Sequence, residues 1–239
     1  MSGRLAKYLR AALTPSLWPV LARRVMPGME HAAMLALVRP ATLIDVGANK
    51  GQFSAIARHV RPDLAIVAFE PLPEPRARYE KIIGQPYRLH GCALGAAETS
   101  AEFFVTDRAD SSSLLRPGAS QQEAYGVSLE RTLVVPVRRL DGCVAASDLV
   151  APVLLKIDTQ GGELETLKGA TGLFAAIDHI YVELSFHELY EGQPLADDVI
   201  CFLRHHGYRL AGVYNMSVTG SMGQTQADML FVRAGRAAA

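Results

Sequence analysis

Cysteine is scarce and scattered: Cys92, Cys143 and Cys201 are the only three in 239 residues, with no C-x-x-C pair to grip zinc and no even set to cross-link a small secreted fold. A reducing compartment is expected. Net charge is absent too, because 24 lysines and arginines meet 24 aspartates and glutamates. A chain without excess positive charge is a poor general binder of nucleic acid. No apolar run approaches the roughly 18–20 residues that a membrane span requires. The basic start is followed by Leu13, Leu17, Trp18, Val20 and Leu21, yet Pro15, Ser16 and Pro19 interrupt that stretch and no small-residue cleavage site follows; a secretory leader is therefore not expected. Internal repeats are missing, and low complexity is confined to an Ala-rich tail over 234–239, expected to be disordered. What the chain does have is core-forming material, 49% hydrophobic, enough for one large domain or two small ones and far too much for intrinsic disorder. The expected location is cytoplasmic, at most peripheral to the inner face of a membrane.

The zero net charge hides an uneven distribution. Residues 1–39 carry six basic side chains (Arg4, Lys7, Arg10, Arg23, Arg24, Arg39) against Glu30 alone, leaving 18 basic and 23 acidic residues for the rest. Leu5, Leu9, Ala12 and Leu13 share one helical face, and Met29, Ala33, Met34, Leu37 and Val38 recur at similar spacing. Residues 1–40 thus read as a helical arm. It is expected to pack on the domain or against a second copy in a homodimer, or to contact anionic lipid or a lipid-linked glycan.

From residue 41 the chain alternates apolar runs with helical patterns. The runs are 42–46, 65–69, 87–94, 153–157, 179–184, 208–213 and 229–232. Phe53, Ile56, Ala57 and Val60 follow the first at helical spacing, and Tyr79, Ile82 and Ile83 follow the second. Strand, helix, strand repetition builds a parallel sheet covered on both faces, so the fold class is a doubly wound α/β sheet over 41–233. Between Gly95 and Pro152 the rhythm breaks. Residues 102–106 and 132–137 read as strands around a polar stretch with Ser111, Ser112 and Ser113, an inserted hairpin over about 100–138 with a mobile loop that could serve as lid or substrate wall.

The strongest local signal is Leu43-Ile44-Asp45-Val46-Gly47-Ala48-Asn49-Lys50-Gly51, a buried strand running into a glycine-punctuated turn and a helix. Ligands of open α/β sheets bind at such strand ends. The dinucleotide fingerprint G-x-G-x-x-G would need glycines at 49 and 52, where Asn49 and Gln52 stand, which weakens a nicotinamide reading. Asp45 suits a cofactor with positive charge. Glu70, ending a second strand before Pro71, is placed to accept hydrogen bonds from both ribose hydroxyls.

These segments, with Ala93-Leu94-Gly95, Leu155 to Glu163, Leu167-Lys168-Gly169-Ala170 and Gln226 to Phe231, together resemble the FkbM family of S-adenosylmethionine-dependent methyltransferases over about residues 41–233. The resemblance implies a class I methyltransferase (Rossmann-like) sheet of seven strands with the last antiparallel, S-adenosyl-L-methionine as cofactor, and methylation of a hydroxyl on a sugar or secondary metabolite, as in polysaccharide biosynthesis. It further implies that Gly47, Asn49 and Gly51 shape the turn around the methionine and ribose, that Asp45 faces the amino-acid end, that Glu70 holds the ribose, and that Cys92 and Ala93 lie near adenine. Gln160 stands where many relatives have glutamate.

An alcohol acceptor needs a base, because its pKa lies far above neutrality. Asp158, at the end of the fourth strand, is the first candidate, with N-capping of the next helix as its alternative role. Glu183 and His187 follow on the fifth strand, His187 with the better matched ordinary pKa. Lys156, Ser112 and Ser113 are candidate substrate contacts. Asp158, Glu183 and His187 have no recognised metal-ligand spacing, so no metal is expected. His205 and His206 read as residues completing a helix C-terminus. Two rival functions stand beside the methyltransferase: a non-catalytic scaffold of a membrane glycan-assembly complex, and an NAD-dependent oxidoreductase with an atypical turn.

Overall fold

In the computed structural model, which describes residues 3–235 and side chains from residue 8 onward, the central strand is β1 (Thr42–Val46), buried along its whole length. Residues 236–239 of the expected disordered tail and the side chains of Arg4, Leu5 and Lys7 lie outside the described residues. β1 pairs in parallel with β2 (Ala65–Phe69) and with β7 (Val153–Ile157). The main sheet continues through β3 (Arg88–His90) on one side and through β8 (His179–Ser185), β10 (Gly223–Arg233) and β9 (Tyr208–Thr219) on the other. Its order is β3-β2-β1-β7-β8-β10-β9, and β10 runs antiparallel to both neighbours. This is the class I methyltransferase arrangement that the sequence resemblance implies.

Period-two alternation divides the core between the sheet's two faces. Ile44, Val46, Leu155, Ile157, Ile180 and Val182 share one face, under α8 (Glu163–Lys168) and α9 (Ala196–His205). Leu43, Ala68, Leu154, Tyr181 and Leu230 share the other. That second face is covered by α4 (Gln52–Val60) and by the N-terminal segment, with α1 (Gly3–Ala12), α2 (Trp18–Ala22) and α3 (Ala32–Val38). Leu17, Val20, Val25, Met34, Leu35 and Val38 are all buried there. The segment is therefore part of the core and not a detached arm. The apolar stripe read along α1 is on the wrong side: Leu9 and Leu13 face solvent, while Ala11 and Leu17 point inward.

Two other expectations change. The run 87–94 is not one strand, because after β3 the chain leaves the sheet and β4 (Ala93–Leu94) pairs with β6 (Leu129–Arg138). The inserted strands are longer than their apolar cores: β5 (Thr99–Thr106) pairs antiparallel with β6, their outer residues being polar and exposed. Between them lies α6 (Ala119–Tyr125), and before it Phe104 and Ser113 bridge, as do Pro117 and Tyr190. The remaining short helices are α5 (Pro73–Ile82) and α7 (Leu140–Cys143). Past β10, the Ala234 N–H donates to Gly207 O.

Candidate active site

The strand ends of β1, β2, β7 and β8 open onto a cavity of about 470 Å³, within the roughly 300–1,000 Å³ of sites that hold small molecules. At the end of β1 the chain turns through Gly47 with φ +71°, and a Cβ there would sit 1.8 Å from the carbonyl oxygen of Asp158. Glycine is required because the β1 and β7 exits touch backbone to backbone, the Asp158 N–H donating to Val46 O at 3.2 Å. That constraint comes from the protein itself and needs no ligand. Asn49 also adopts a left-handed conformation, φ +45°, and Gly51, φ +85°, begins α4 away from the cavity lining.

Glu70 is buried beside this turn. Its Oε2 accepts the Asn49 N–H at 2.9 Å and its Oε1 the Leu72 N–H at 2.8 Å. Burial pushes its carboxyl up to about 7 from an ordinary 4.5, against the pull of those two N–H donors. Cys92 and Ala93 line the same end, and burial pushes the Cys92 thiol up to about 11.

Two expected contacts are engaged with each other and not free for a ligand. Asp45 is fully buried; its Oδ2 accepts from Ser54 Oγ at 2.7 Å, and Ser54 Oγ accepts from Tyr79 OH at 3.0 Å. Asp45 does not line the cavity. Lys156 does, but its Nζ is fully engaged, 3.2 Å from Asp45 Oδ1, donating to Val46 O and Gly47 O at 3.2 and 3.0 Å, and 3.8 Å from Asp158 Oδ2. The β1–β7 register puts Asp45 directly opposite Lys156. Such a buried pair, with Asp45 Oδ1 held by the ion pair and by no hydrogen bond, fixes the two strand ends and leaves no lysine donor for a substrate.

Asp158 and Glu183 both line the cavity. The amide nitrogen of Gln160 joins them, donating to Asp158 Oδ1 at 2.7 Å and Glu183 Oε2 at 3.0 Å, while its Oε1 accepts from Tyr190 OH at 2.8 Å. Glutamate at 160 would offer no donor and a third negative charge, so glutamine is the residue type that lets the two carboxylates approach. Burial and the neighbouring Asp158, Asp228 and Glu163 push Glu183 well above the usual carboxylate range. Asp158 does not cap α8. Glu163 closes that turn, accepting from the N–H groups of Thr159 and Gly161.

His187 does not reach the cavity lining; it lies in the loop after β8, half-buried. Ser112 lines the cavity, its Oγ accepting the Thr106 N–H. Ser113 does not: its fully buried hydroxyl donates to Gln160 O at 2.7 Å. Together with Gln121 donating to Tyr190 OH at 3.0 Å and Tyr125 OH 2.6 Å from Thr225 Oγ1, that bond fastens the insertion to the exits of β7 and β8.

A second polar group was hidden from the sequence. His31 lines the cavity from the N-terminal segment, with Nδ1 3.1 Å from Tyr181 OH and 3.5 Å from Asp228 Oδ2. Asp228 accepts from Tyr181 OH at 3.0 Å and Asn215 Nδ2 at 2.8 Å. Burial lowers the His31 pKa from its ordinary value and raises that of Asp228. Asp228 stands opposite Glu183 across β8 and β10, so the quoted segment Gln226 to Phe231 did carry a signal, but only the register gave Asp228 its neighbour.

The cavity suits the cofactor that the resemblance implies. Glu70 offers carboxylate oxygens where ribose hydroxyls would donate, and Asn49 Oδ1 is buried without a hydrogen-bond partner, an acceptor waiting for a donor. Among the described residues, no three His, Cys, Asp or Glu side chains are arranged to hold a metal.

The chain is similar in sequence to known proteins. The chain is 27% identical over 160 residues to the 2-O-methyltransferase NoeI of Sinorhizobium fredii, covering 63% of this chain and 66% of NoeI. It is 28% identical over 211 residues to the AMB antimetabolite synthetase AmbE of Pseudomonas aeruginosa, covering 74% of this chain and 10% of AmbE. It thus spans just under two thirds of one relative and about a tenth of the other. Among solved structures, precorrin-6y C5,15-methyltransferase from Geobacter metallireducens aligns at TM-score 0.46 and 14% identity, over 86% of this chain and 87% of that one. Residues 45–210 match the methyltransferase FkbM domain, and with well over half of its length inside that match the chain belongs to the FkbM methyltransferase family.

Proposed function

We propose that the protein is an S-adenosylmethionine-dependent O-methyltransferase acting on a hydroxyl of a sugar, glycolipid or secondary metabolite. The observation that carries the reading is the pair Asp158 and Glu183, held together by Gln160 on the same cavity as Glu70. Bound S-adenosylmethionine would supply an electrophilic methyl group. Glu70 would hold its ribose, and Gly47, Asn49, Cys92 and Ala93 would border it. The chain's remaining task is to orient the acceptor and remove its proton. Asp158 is assigned that role, since its carboxylate faces the cavity and is half-exposed. Glu183 is assigned to hold the acceptor. NoeI, a 2-O-methyltransferase by name, supports hydroxyl methylation.

Isothermal calorimetry with S-adenosylmethionine, run beside NADH, tests the cofactor. Binding of the first and not the second is expected. Absence of S-adenosylmethionine binding sinks the proposal, and tight cofactor binding without label transfer into any cell extract favours the scaffold instead.

We further propose that the outer side of the N-terminal segment meets an anionic membrane surface. Tyr8, Leu9, Leu13 and Trp18 are exposed there beside Arg10, Arg23 and Arg24. No described helix is long and apolar enough to cross a membrane, so such a contact would be peripheral.

A further inference from the structure

The cavity is rich in carboxyl groups and poor in cations. Carboxylates reach it from six parts of the chain: Glu30, Glu70, Asp110, Asp158, Glu183 and Asp228. Three of these form a connected group, since Gln160 bridges Asp158 to Glu183 and the strand register sets Glu183 opposite Asp228. Asn49 Oδ1 adds a buried acceptor with no partner. Among the described residues no arginine lines the cavity, and the one lysine there, Lys156, is spent on Asp45, Val46 O and Gly47 O.

Many of the backbone donors at the strand exits, the usual second resource for holding a phosphate, are spent as well. The N–H groups of Gly47 and Ala48 donate to Phe69 O and that of Asp158 to Val46 O. Asn49 N–H goes to Glu70, and those of Thr159 and Gly161 go to Glu163. His31, the imidazole among the described lining residues, has its Nδ1 against Tyr181 OH and Asp228.

From this imbalance we infer that the acceptor is a donor-rich, non-anionic molecule, a polyol whose other substituents are neutral or amino groups, and that phosphorylated and carboxylated acceptors are excluded. The inference deepens the methyltransferase reading and rests on it. A phosphate or carboxylate in this cavity would meet the carboxyl groups of Asp158, Glu183 and Asp228 with no free lysine or arginine among the described lining residues to compensate, whereas hydroxyl and ammonium groups find acceptors already in place.

The test uses the intact protein, S-adenosylmethionine tritiated on its methyl group, and an extract of the source organism separated by ion exchange into anionic, neutral and cationic pools. At least tenfold more label per unit protein is expected in the neutral and cationic pools together than in the anionic pool. Label concentrated in the anionic pool overturns the inference and leaves the methyltransferase reading standing. Label in no pool, with cofactor binding intact by calorimetry, overturns both. The isosteric Asp228→Asn keeps an oxygen toward Tyr181 and Asn215 and removes one charge; it is expected to raise the anionic share of label at least threefold. A folded variant with an unchanged share would overturn the role given to these carboxylates.

Discussion

Glu70 makes the site's pH dependence calculable in sign. Its carboxyl ionises near 4.5 in an unfolded chain and at about 7 here, because burial penalises the charge. Below about 7 the free protein holds Glu70 protonated, and a protonated carboxyl has lost acceptor capacity that ribose hydroxyls need. Cofactor binding is therefore expected to weaken as pH falls, by up to about tenfold per unit below 7 for one linked proton. Calorimetry at a series of pH values checks this, with Glu70→Gln as the control whose curve should be flatter and weaker throughout. An identical slope in the variant would remove Glu70 from the site. The same shift opposes folding as pH rises from 4.5 to about 7, since the unfolded state gains the earlier ionisation. Asp158 and His187 separate by position: Asp158→Asn is expected to cut methyl transfer by about 10²–10⁴-fold with cofactor affinity within about twofold, and His187→Ala to leave both unchanged. Equal losses from the two would refute the assignment of the base. Glu70 and Asp158 were legible as cavity-lining positions because each stands just past an apolar run, whereas Asp45, read as facing the cofactor, is buried away from the lining. His31 was not, since its neighbours Tyr181 and Asp228 are far along the chain and only folding brings them together.

Between β1 and β7 the exits are locked by one lysine. Lys156 reads in the sequence as a substrate contact because it alternates with Asp158 and sits near a strand's end, and alternation alone cannot tell a side chain that faces a ligand from one that faces the adjacent strand. The register supplies the difference by setting Asp45 opposite. Lys156→Met keeps the apolar stem and strands a buried carboxylate, a change expected to cost about 3–5 kcal/mol. For a chain of this size that lowers the melting temperature by roughly 6–20 °C, readable by calorimetric unfolding. A drop of only a degree or two would mean that Lys156 was free to serve a substrate after all. The insertion shows the same limit at the next scale. Its two strands were visible as apolar cores in the sequence, but their polar ends and α6 were not, because Ser113, Gln121 and Tyr125 find partners in the β7 exit and beyond β8, contacts without a local sequence signature. A segment expected to serve as lid or substrate wall is held at several points.

Charge arithmetic separates a basic N-terminal segment from an acidic remainder, and the fold uses the two sides of that segment differently. Its inner side is core. Leu17, Val20, Val25, Met34, Leu35 and Val38 are buried against the sheet, and at roughly 1.5–3 kcal/mol each their loss rivals the whole stability of a domain, about 5–15 kcal/mol. A chain starting at residue 41 is thus expected to lack a cooperative thermal transition and near-ultraviolet dichroism; a folded truncate would show that the segment is separable. Its outer side is left uncovered by the described residues. Leu13 is 82% exposed and Trp18 57%, and basic side chains flank them, each worth about 1 kcal/mol near an anionic leaflet. Trp18 is the chain's single tryptophan, so its emission reports this face alone. Phosphatidylglycerol vesicles are expected to shift that emission to the blue and to sediment the protein, phosphatidylcholine vesicles to do neither, and salt or Arg10→Glu with Arg23→Glu to weaken the effect, because surface attraction is screened within about a Debye length. Emission and sedimentation unchanged by anionic vesicles would refute the membrane contact, and emission that shifts with protein concentration alone would point to a second copy on this face.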